Sequence, residues 1–307
     1  MRGGLILVDK PSGLGSRPVG HRVARHLGFD KFGHVGTLDP LASGLLIVVL
    51  GEGTKLSQFL VGEHKAYQAT IRLGLETDSC DIDGAVLQQL EPAPFEQAQV
   101  EDTLARFVGP QQQVPPAVSA VKIKGVAAHK LARLGVAPDM APRDVTIHSI
   151  KLLHYRHPDI AVEVQCSKGT YMRSLARDVG EQLGTVAALS QIRRTVSEPY
   201  HVMHATELDT ILSLERERAR QLIIPSEVAL KHLPQYAVNA VLEQRLMVGN
   251  LPTGPEVAAL SAQKPFKRGD QVVLVARTRL AVMEAQVDST RAYAHVSPLS
   301  YLRVIER

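Results

Sequence analysis

The chain of 307 residues has no tryptophan, only two cysteines and no apolar stretch of membrane-spanning length. Cys80 and Cys166 are far apart and in no paired spacing, which excludes a disulfide framework and favours a reducing compartment. The apolar run at the N-terminus has five residues, too few for a signal peptide. We therefore expect a cytoplasmic protein without a membrane segment.

The motifs of several common enzyme classes are also missing. The stretch "GEGTK" lacks the spacing of a Walker phosphate loop, and no serine stands in a G-x-S-x-G turn. The twelve histidines form no pattern of metal ligands, and the chain lacks the Cys-x-x-Cys pair of zinc deaminases. These absences exclude P-loop, α/β-hydrolase and zinc chemistry, and we expect no metal.

Charge is sorted by sign along the chain, whose formal net charge is +4. Basic and acidic residues number six and two in residues 1–34, five and one in 111–143, and eight and four in 264–307. Residues 76–102 carry eight acidic and no basic residues. This sorting predicts a basic face for nucleic acid with an acidic outer side, although solvated surfaces alone could also produce it.

Strand and helix patterns follow one another without a regular βαβ order. The stretch 67–73 alternates apolar and polar residues as a half-buried strand does, and 45–50 is a continuous apolar strand. A helix is predicted after Ser16 as its N-cap, and another ends at Gly184. The mixture predicts an α+β fold with a mixed, largely antiparallel sheet.

A domain boundary is predicted near Pro234. Residues 1–233 would form the larger domain, with a basic insertion at about 111–143, and residues 234–307 would form a small β-rich domain. The segment "LERERAR" at 214–220 pairs Glu with Arg at helical spacing and is interpreted as a solvated helix face.

Asp39 stands in an unusual turn, "GTLDP", that leads into the apolar run at 45–50. Pro40 restricts the backbone of Asp39 to extended geometry, and Gly36 and Gly44 bracket the turn. Such a loop could hold one carboxylate at the rim of a cleft, as a nucleophile or general base. An aspartate that merely accepts backbone hydrogen bonds in a turn is the alternative.

Two further residues are candidates for the same chemistry. In "CSKGTYMRSLARD", Arg173 falls in the first turn of a helix, where it could pair with a carboxylate, or could be an ordinary exposed arginine. Tyr67 lies at the end of the apolar strand face, where it could stack on a base, or simply fill the core.

Several motifs occur in the order found in one family. They are "VDKPSG", "GHVGTLDPLASGLL", "HKAY", "TDSCDIDG", "SAVKIKG", "KLARLG", "CSKGTYMRSLARDVG" and "QIRRT". Together they resemble the bacterial tRNA pseudouridine-55 synthases of the TruB type, and the C-terminal segment is more weakly similar to their PUA-type RNA-binding domain. The resemblance implies an isomerase that converts one uridine in the T-loop of tRNA to pseudouridine without a cofactor.

The resemblance also implies roles for single residues. Asp39 matches the nucleophile, Arg173 the arginine that pairs with it, and Tyr67 the tyrosine that stacks on the flipped base. The remaining matches are substrate contacts or their supports: His34, Tyr171, Ile192 and the pair Lys10 and Pro11, expected to support Tyr67. His129 departs from the usual tyrosine of the insertion, and Ile192 from the usual leucine.

The implied partner is the T-arm of tRNA, bound by a monomer with no obligatory protein partner. The intact insertion at 111–143 favours a stand-alone enzyme over a guide-RNA-dependent uridine isomerase. A non-catalytic tRNA-binding or folding protein on the same fold is the main alternative, and a hydrolase that uses Asp39 is the remotest.

Overall fold

The computed structural model describes residues 3–117, 122–123, 126–127, 140–262, 265–286, 288 and 299–306. Most strands belong to one large sheet or flank it. In chain order the strands are β1 Gly3–Lys10, β2 Phe32–Val35, β3 Ser43–Gly51, β4 His64–Leu73, β5 Leu75–Thr77, β6 Val86–Gln89, β7 Gly109–Gln113, β8 Lys122–Ile123, β9 Val126–Ala127, β10 Arg143–Arg156, β11 Asp159–Ser167, β12 Ala187–Ser197, β13 Tyr200–His201, β14 Thr206–Glu207, β15 Ile224–Pro225, β16 Gln235–Ala237, β17 Gln271–Val275, β18 Arg279–Ala285 and β19 Leu299–Glu306.

The helices lie between these strands in an irregular order. They are α1 Ser16–Leu27, α2 Gln97–Ala105, α3 Met172–Gln182, α4 Leu208–Ser213, α5 Arg216–Arg220, α6 Ser226–Ala229, α7 Ala240–Met247 and α8 Gly254–Ser261, with 3₁₀ helices at Glu52–Phe59 and Val202–His204. No helix of the described ranges is long and apolar enough to span a membrane.

The main sheet has the strand order β14-β1-β3-β12-β4-β11-β10-β7. Its pairs β1/β14 and β3/β12 are parallel, and the other neighbours along this order are antiparallel. The predicted α+β class with a largely antiparallel sheet is therefore confirmed. The central pairing of β12 with β4 sets Arg194 opposite Tyr67 and Ile192 opposite Ala69.

Two helices cover neighbouring parts of one face of this sheet. α1 packs Val19, Val23 and Leu27 into a core with the apolar residues of β3. α3 packs Leu175 and Val179 into a second core with β4, β11 and β12. Ile192 contacts both cores, so the boundary between them lies on β12.

Two local interpretations need correction. Ser16 is the first residue of α1, not its N-cap, which is Gly15; its hydroxyl hydrogen-bonds to the backbone of Leu38 instead. The segment at 214–220 is more than a solvated face, because Arg216 and Arg220 donate to the carbonyls of His26 and Leu27 that end α1. The cations thus satisfy backbone acceptors at a helix C-terminus.

The C-terminal part forms a four-stranded sheet in the order β16-β17-β18-β19. Helices α7 and α8 accompany it, so this part has more helix than the sequence predicts. The boundary near Pro234 and the division into 1–233 and 234–307 remain predictions. Much of the insertion predicted at 111–143, including His129, lies outside the described residues.

Candidate active site

A cleft of about 290 Å³ opens where the two cores meet. Its walls are the loop between β2 and β3, the start of α3 and the neighbouring strands β4 and β12. Five of the predicted site residues line it: Asp39, Tyr67, Tyr171, Arg173 and Ile192. The tertiary structure therefore brings together candidates that are far apart in the sequence.

The Asp39 loop is held by the first residue of α1 and by the segment that precedes this helix. The Ser16 hydroxyl donates to the Leu38 carbonyl at 2.8 Å and accepts from the Leu38 N–H at 2.7 Å. The Gly13 N–H donates to the Pro40 carbonyl at 2.8 Å, and the Ser12 hydroxyl donates to the Leu41 carbonyl at 2.8 Å. These bonds fix the loop on both sides of Asp39, whose side chain stays 48% exposed.

Lys10 adds a buried cation to this support. Its ammonium donates to the carbonyls of Pro11, Leu14 and Pro40. Burial lowers the pKa of Lys10 to about 8, and the nearby Asp39 carboxylate partly opposes that shift. The hydrogen bonds of Lys10 thus support the Asp39 loop, whereas the resemblance assigns Lys10 and Pro11 to the support of Tyr67.

Arg173 reaches Asp39 from the first turn of α3. Its Nε lies 3.1 Å from Asp39 Oδ2, and its side chain is only 8% exposed. The turn before the helix passes through Gly169, which has a positive φ of 86°. A buried guanidinium beside a half-exposed carboxylate can orient that carboxylate through a charge-assisted hydrogen bond.

A second carboxylate holds the other side of Arg173. Arg173 Nη1 donates to the Ser79 carbonyl at 3.0 Å and lies 3.5 Å from Asp81 Oδ2. Asp81 is buried, and its Oδ1 accepts from the Ser79 hydroxyl at 2.7 Å and from the Asp83 N–H at 3.1 Å. Sequence reasoning missed Asp81, since an aspartate in an acidic stretch gives no local sign of burial.

Tyr67 lies across the cleft on β4 and pairs with Arg194. Burial raises the pKa of the Tyr67 phenol, and the hydrogen-bonded Arg194 guanidinium opposes that rise. Arg194 is 2% exposed and donates to the carbonyls of Leu45 and Gly36 at 2.8 and 2.9 Å. It therefore connects Tyr67 to the loop that carries Asp39.

Arg194 is the other residue that sequence reasoning missed. A signal was present in "QIRRT", because Arg194 follows Ile192 by two residues in a strand and therefore lies on the same side as that apolar residue. A buried arginine must be paired, so such a position indicates a structured polar site.

The remaining predicted residues lie at the edges of the cleft. His34 is on β2, and its Nε2 is 3.2 Å from Oγ1 of Thr37, which lines the cleft. Burial, with smaller contributions from Arg194 and Arg17, lowers the pKa of His34. The backbone of Tyr171 is held by Gln113, whose amide accepts from the Tyr171 N–H at 2.7 Å and donates to its carbonyl at 3.0 Å.

The arrangement suits covalent or general base chemistry by one carboxylate next to an aromatic surface. Among the described residues, no group of three His, Cys, Asp or Glu side chains could hold a metal ion. Ile192 and Leu189 provide apolar lining beside Tyr67, which suits the face of a planar base.

Two family models match the part of the chain that forms the cleft. Residues 24–172 match the model described as "TruB family pseudouridylate synthase (N terminal domain)". Residues 173–231 match the model described as "tRNA pseudouridylate synthase B C-terminal domain".

Similar proteins extend the match along the chain. The tRNA pseudouridine synthase B of Syntrophotalea carbinolica is 38% identical over 301 residues, which cover 98% of this chain and 97% of that protein. The protein of the same name from Aromatoleum aromaticum is 40% identical over 256 residues, 83% of each chain. A chain in the crystal structure of a Cbf5-Nop10-Gar1 complex has a TM-score of 0.72 at 25% identity, with 99% of this chain and 85% of that chain covered.

Proposed function

Since the chain belongs to the TruB family of tRNA pseudouridine synthases, we propose that Asp39 is the nucleophile with which it converts the T-loop uridine of tRNA to pseudouridine. The observation that carries this proposal is the ion pair between Arg173 Nε and Asp39 Oδ2 at 3.1 Å in the cleft. The chain is a pseudouridine-forming isomerase, and its substrate is tRNA.

The reaction balances without a co-reactant. The bond between C1′ and N1 of the uridine breaks, and a bond between C1′ and C5 forms. The proton on C5 leaves and N1 ends with a proton, so the product is an isomer of the substrate. Asp39 would attack the extruded nucleotide at C1′ or C6 and be released when the new bond is complete.

The other cleft residues have separate roles in the reaction. Arg173, held by Ser79 and Asp81, orients Asp39. Tyr67 stacks on the base, and its hydroxyl, which is hydrogen-bonded to Arg194, takes part in the proton transfer at C5. Ile192 and Tyr171 contact the substrate, and His34 holds the rearranged loop of the RNA beside Thr37.

A detached base has to be kept away from water. Uracil that leaves C1′ has to be retained until it is reattached through C5, so the walls of the cleft must limit the access of water. We further propose that the enzyme acts in the cytoplasm as a monomer, without a protein partner or guide RNA.

The decisive experiment uses an unmodified tRNA transcript tritiated at C5 of uridine, with purified protein and no added metal. We expect release of tritium to water that maps to the T-loop uridine. Asp39→Asn should reduce release to background while tRNA still binds, because the amide is a poor nucleophile of similar shape.

Asp102→Asn is the matched control, since it removes an exposed carboxylate on α2. It should release tritium at the wild-type rate. Full turnover by Asp39→Asn would contradict the assignment of the nucleophile. Tight binding by wild type with no release would instead identify a non-catalytic tRNA-binding protein, and release only with an added guide RNA would identify a guided isomerase.

A further inference from the structure

The charged residues on the exposed side of α1 are all basic. This helix contains Arg17, His21, Arg22, Arg25 and His26, and it has no acidic residue between Ser16 and Leu27. All of these except His26, which is half-buried, are exposed. The opposite side of the helix is fully buried against β3, so the charge is concentrated on one face.

Three of these residues form a line along the helix, here called the α1 stripe: Arg17, His21 and Arg25. They are four residues apart, which places them one above the other at steps of roughly 6 Å. The ion pairs found among the described residues involve none of the three, whereas Arg72, Arg193 and Arg245 each pair with a carboxylate. Exposed arginines without carboxylate partners are available to an anionic ligand.

The α1 stripe begins at the edge of the cleft. Its helix starts at Ser16, which hydrogen-bonds to Leu38 next to Asp39. The His21 ring lies 5.9 Å from the ring of Phe32, and Phe32 and His34 project from the same side of β2. Because His34 contacts Thr37 on the cleft wall, the α1 stripe runs alongside β2 and away from the reactive carboxylate.

The far end of the α1 stripe opens into a shallow depression. His21, Arg25, Phe29 and Phe32 line it, and Asp30 is the one carboxylate on its rim. Its volume is about 300 Å³. Cations next to half-buried aromatic rings are the surface that a nucleic acid strand uses, with phosphates on the cations and sugar or base faces on the rings.

We propose that the α1 stripe binds the phosphodiester backbone of tRNA where the RNA strand leaves the cleft. The proposal rests on the proposed function, since it continues the path of an RNA whose target nucleotide is at Asp39. Arg17 and Arg25 each neutralise a phosphate, so their contribution is electrostatic and independent of base sequence. The α1 stripe is therefore a second RNA contact site, and it sets the register of the RNA on the enzyme.

The test measures the dissociation constant of unmodified tRNA over a series of salt concentrations. We expect Arg17→Gln/Arg25→Gln to bind more weakly than wild type at low salt. The slope of log K against log[salt] should become shallower by about 0.7 to 0.9 for each phosphate that the protein no longer neutralises, or roughly 1.5 for the double variant. Each single variant should show about half of this change.

Lys151→Gln is the matched control. Lys151 is exposed on β10, between Ile150 and Leu152, which both pack into the core under α3, so it projects from the sheet face opposite the cleft. Its replacement should leave the salt slope unchanged. Circular dichroism and the melting temperature of each variant establish that the proteins are folded.

The outcomes separate the two proposals. A double variant with the wild-type slope, in an enzyme that still releases tritium through Asp39, overturns the α1 stripe and leaves the proposed function intact. Equal effects of the double variant and Lys151→Gln also overturn it, because they indicate a general effect of net charge. Absence of tritium release by wild type overturns the proposed function instead.

Discussion

Ser16 is 2% exposed, and its hydroxyl serves both the N–H and the carbonyl of Leu38, directly before Asp39. Lys10 contributes a bond to the Pro40 carbonyl directly after it. The carboxylate is thus positioned through its backbone, while its side chain contacts Arg173. Preorganisation of this kind fixes a reactive group before the substrate arrives.

Replacement of Ser16 tests this positioning. Ser16→Ala leaves a buried N–H of Leu38 without its partner, which costs about 1–3 kcal/mol of folding free energy. We expect the rate constant of tritium release under single-turnover conditions to fall, with the dissociation constant of tRNA unchanged. Ser16→Thr keeps the hydroxyl and should restore most of the rate.

Ser12→Ala is the comparison, because Ser12 is exposed and makes one bond to the Leu41 carbonyl. It should slow the reaction less than Ser16→Ala does. If Ser16→Ala lowers only the melting temperature and leaves the single-turnover rate intact, Ser16 is structural and does not position Asp39.

The junction of β3 with β12 joins the Asp39 loop to Arg194. Gly44 pairs with Arg194 in parallel register and has a positive φ of 94°. A Cβ at this position would lie 2.3 Å from the Arg194 carbonyl oxygen and 2.9 Å from its nitrogen. Only glycine permits this approach, so β12 at Arg194 can lie directly against the start of β3.

Gly44→Ala should therefore separate these strands. We expect it to lower the free energy of unfolding by about 2 kcal/mol or more beyond the decrease in Gly184→Ala. Gly184 has a similar positive φ of 73° after α3, but a Cβ there would meet open space. Urea denaturation of both variants makes the comparison, and equal decreases would show that backbone strain alone, without the clash, determines the cost.

At the scale of the whole molecule, the C-terminal sheet shares a core with the rest of the protein. Val273, Leu280, Val282 and Ile305 are fully buried in one cluster with residues of β1, β3 and the 3₁₀ helix at Glu52–Phe59. An apolar contact of this kind couples the stability of the two parts.

A chain that ends at Leu233 tests this coupling. Removal of the C-terminal sheet exposes the apolar side of Phe59 and Leu60, which are 7% and 1% exposed in the full chain. We expect the melting temperature to fall by roughly 10 °C, as the exposure of a few buried apolar side chains implies. An unchanged melting temperature, followed by circular dichroism, would show that residues 1–233 are stable alone.

The sequence by itself determined the fold class and identified the turn around Asp39 as the candidate site. Alternation along 67–73 and the apolar run at 45–50 predict strands because side-chain period depends only on local backbone geometry. The turn around Asp39 is equally local, since Pro40 and the flanking glycines restrict its backbone. Motif order then led to the family, with Asp39, Tyr67 and Arg173 as its expected site.

Only the tertiary structure decided which of these groups meet. Arg173 contacts Asp39 and the buried Asp81, and Arg194 pairs with Tyr67. In each of these pairs the two residues are remote in the chain. The placement of the α1 stripe beside the cleft and the shared core with the C-terminal sheet have the same origin. Such contacts depend on strand register and on packing between elements, and no local pattern encodes them because each is a property of two segments together.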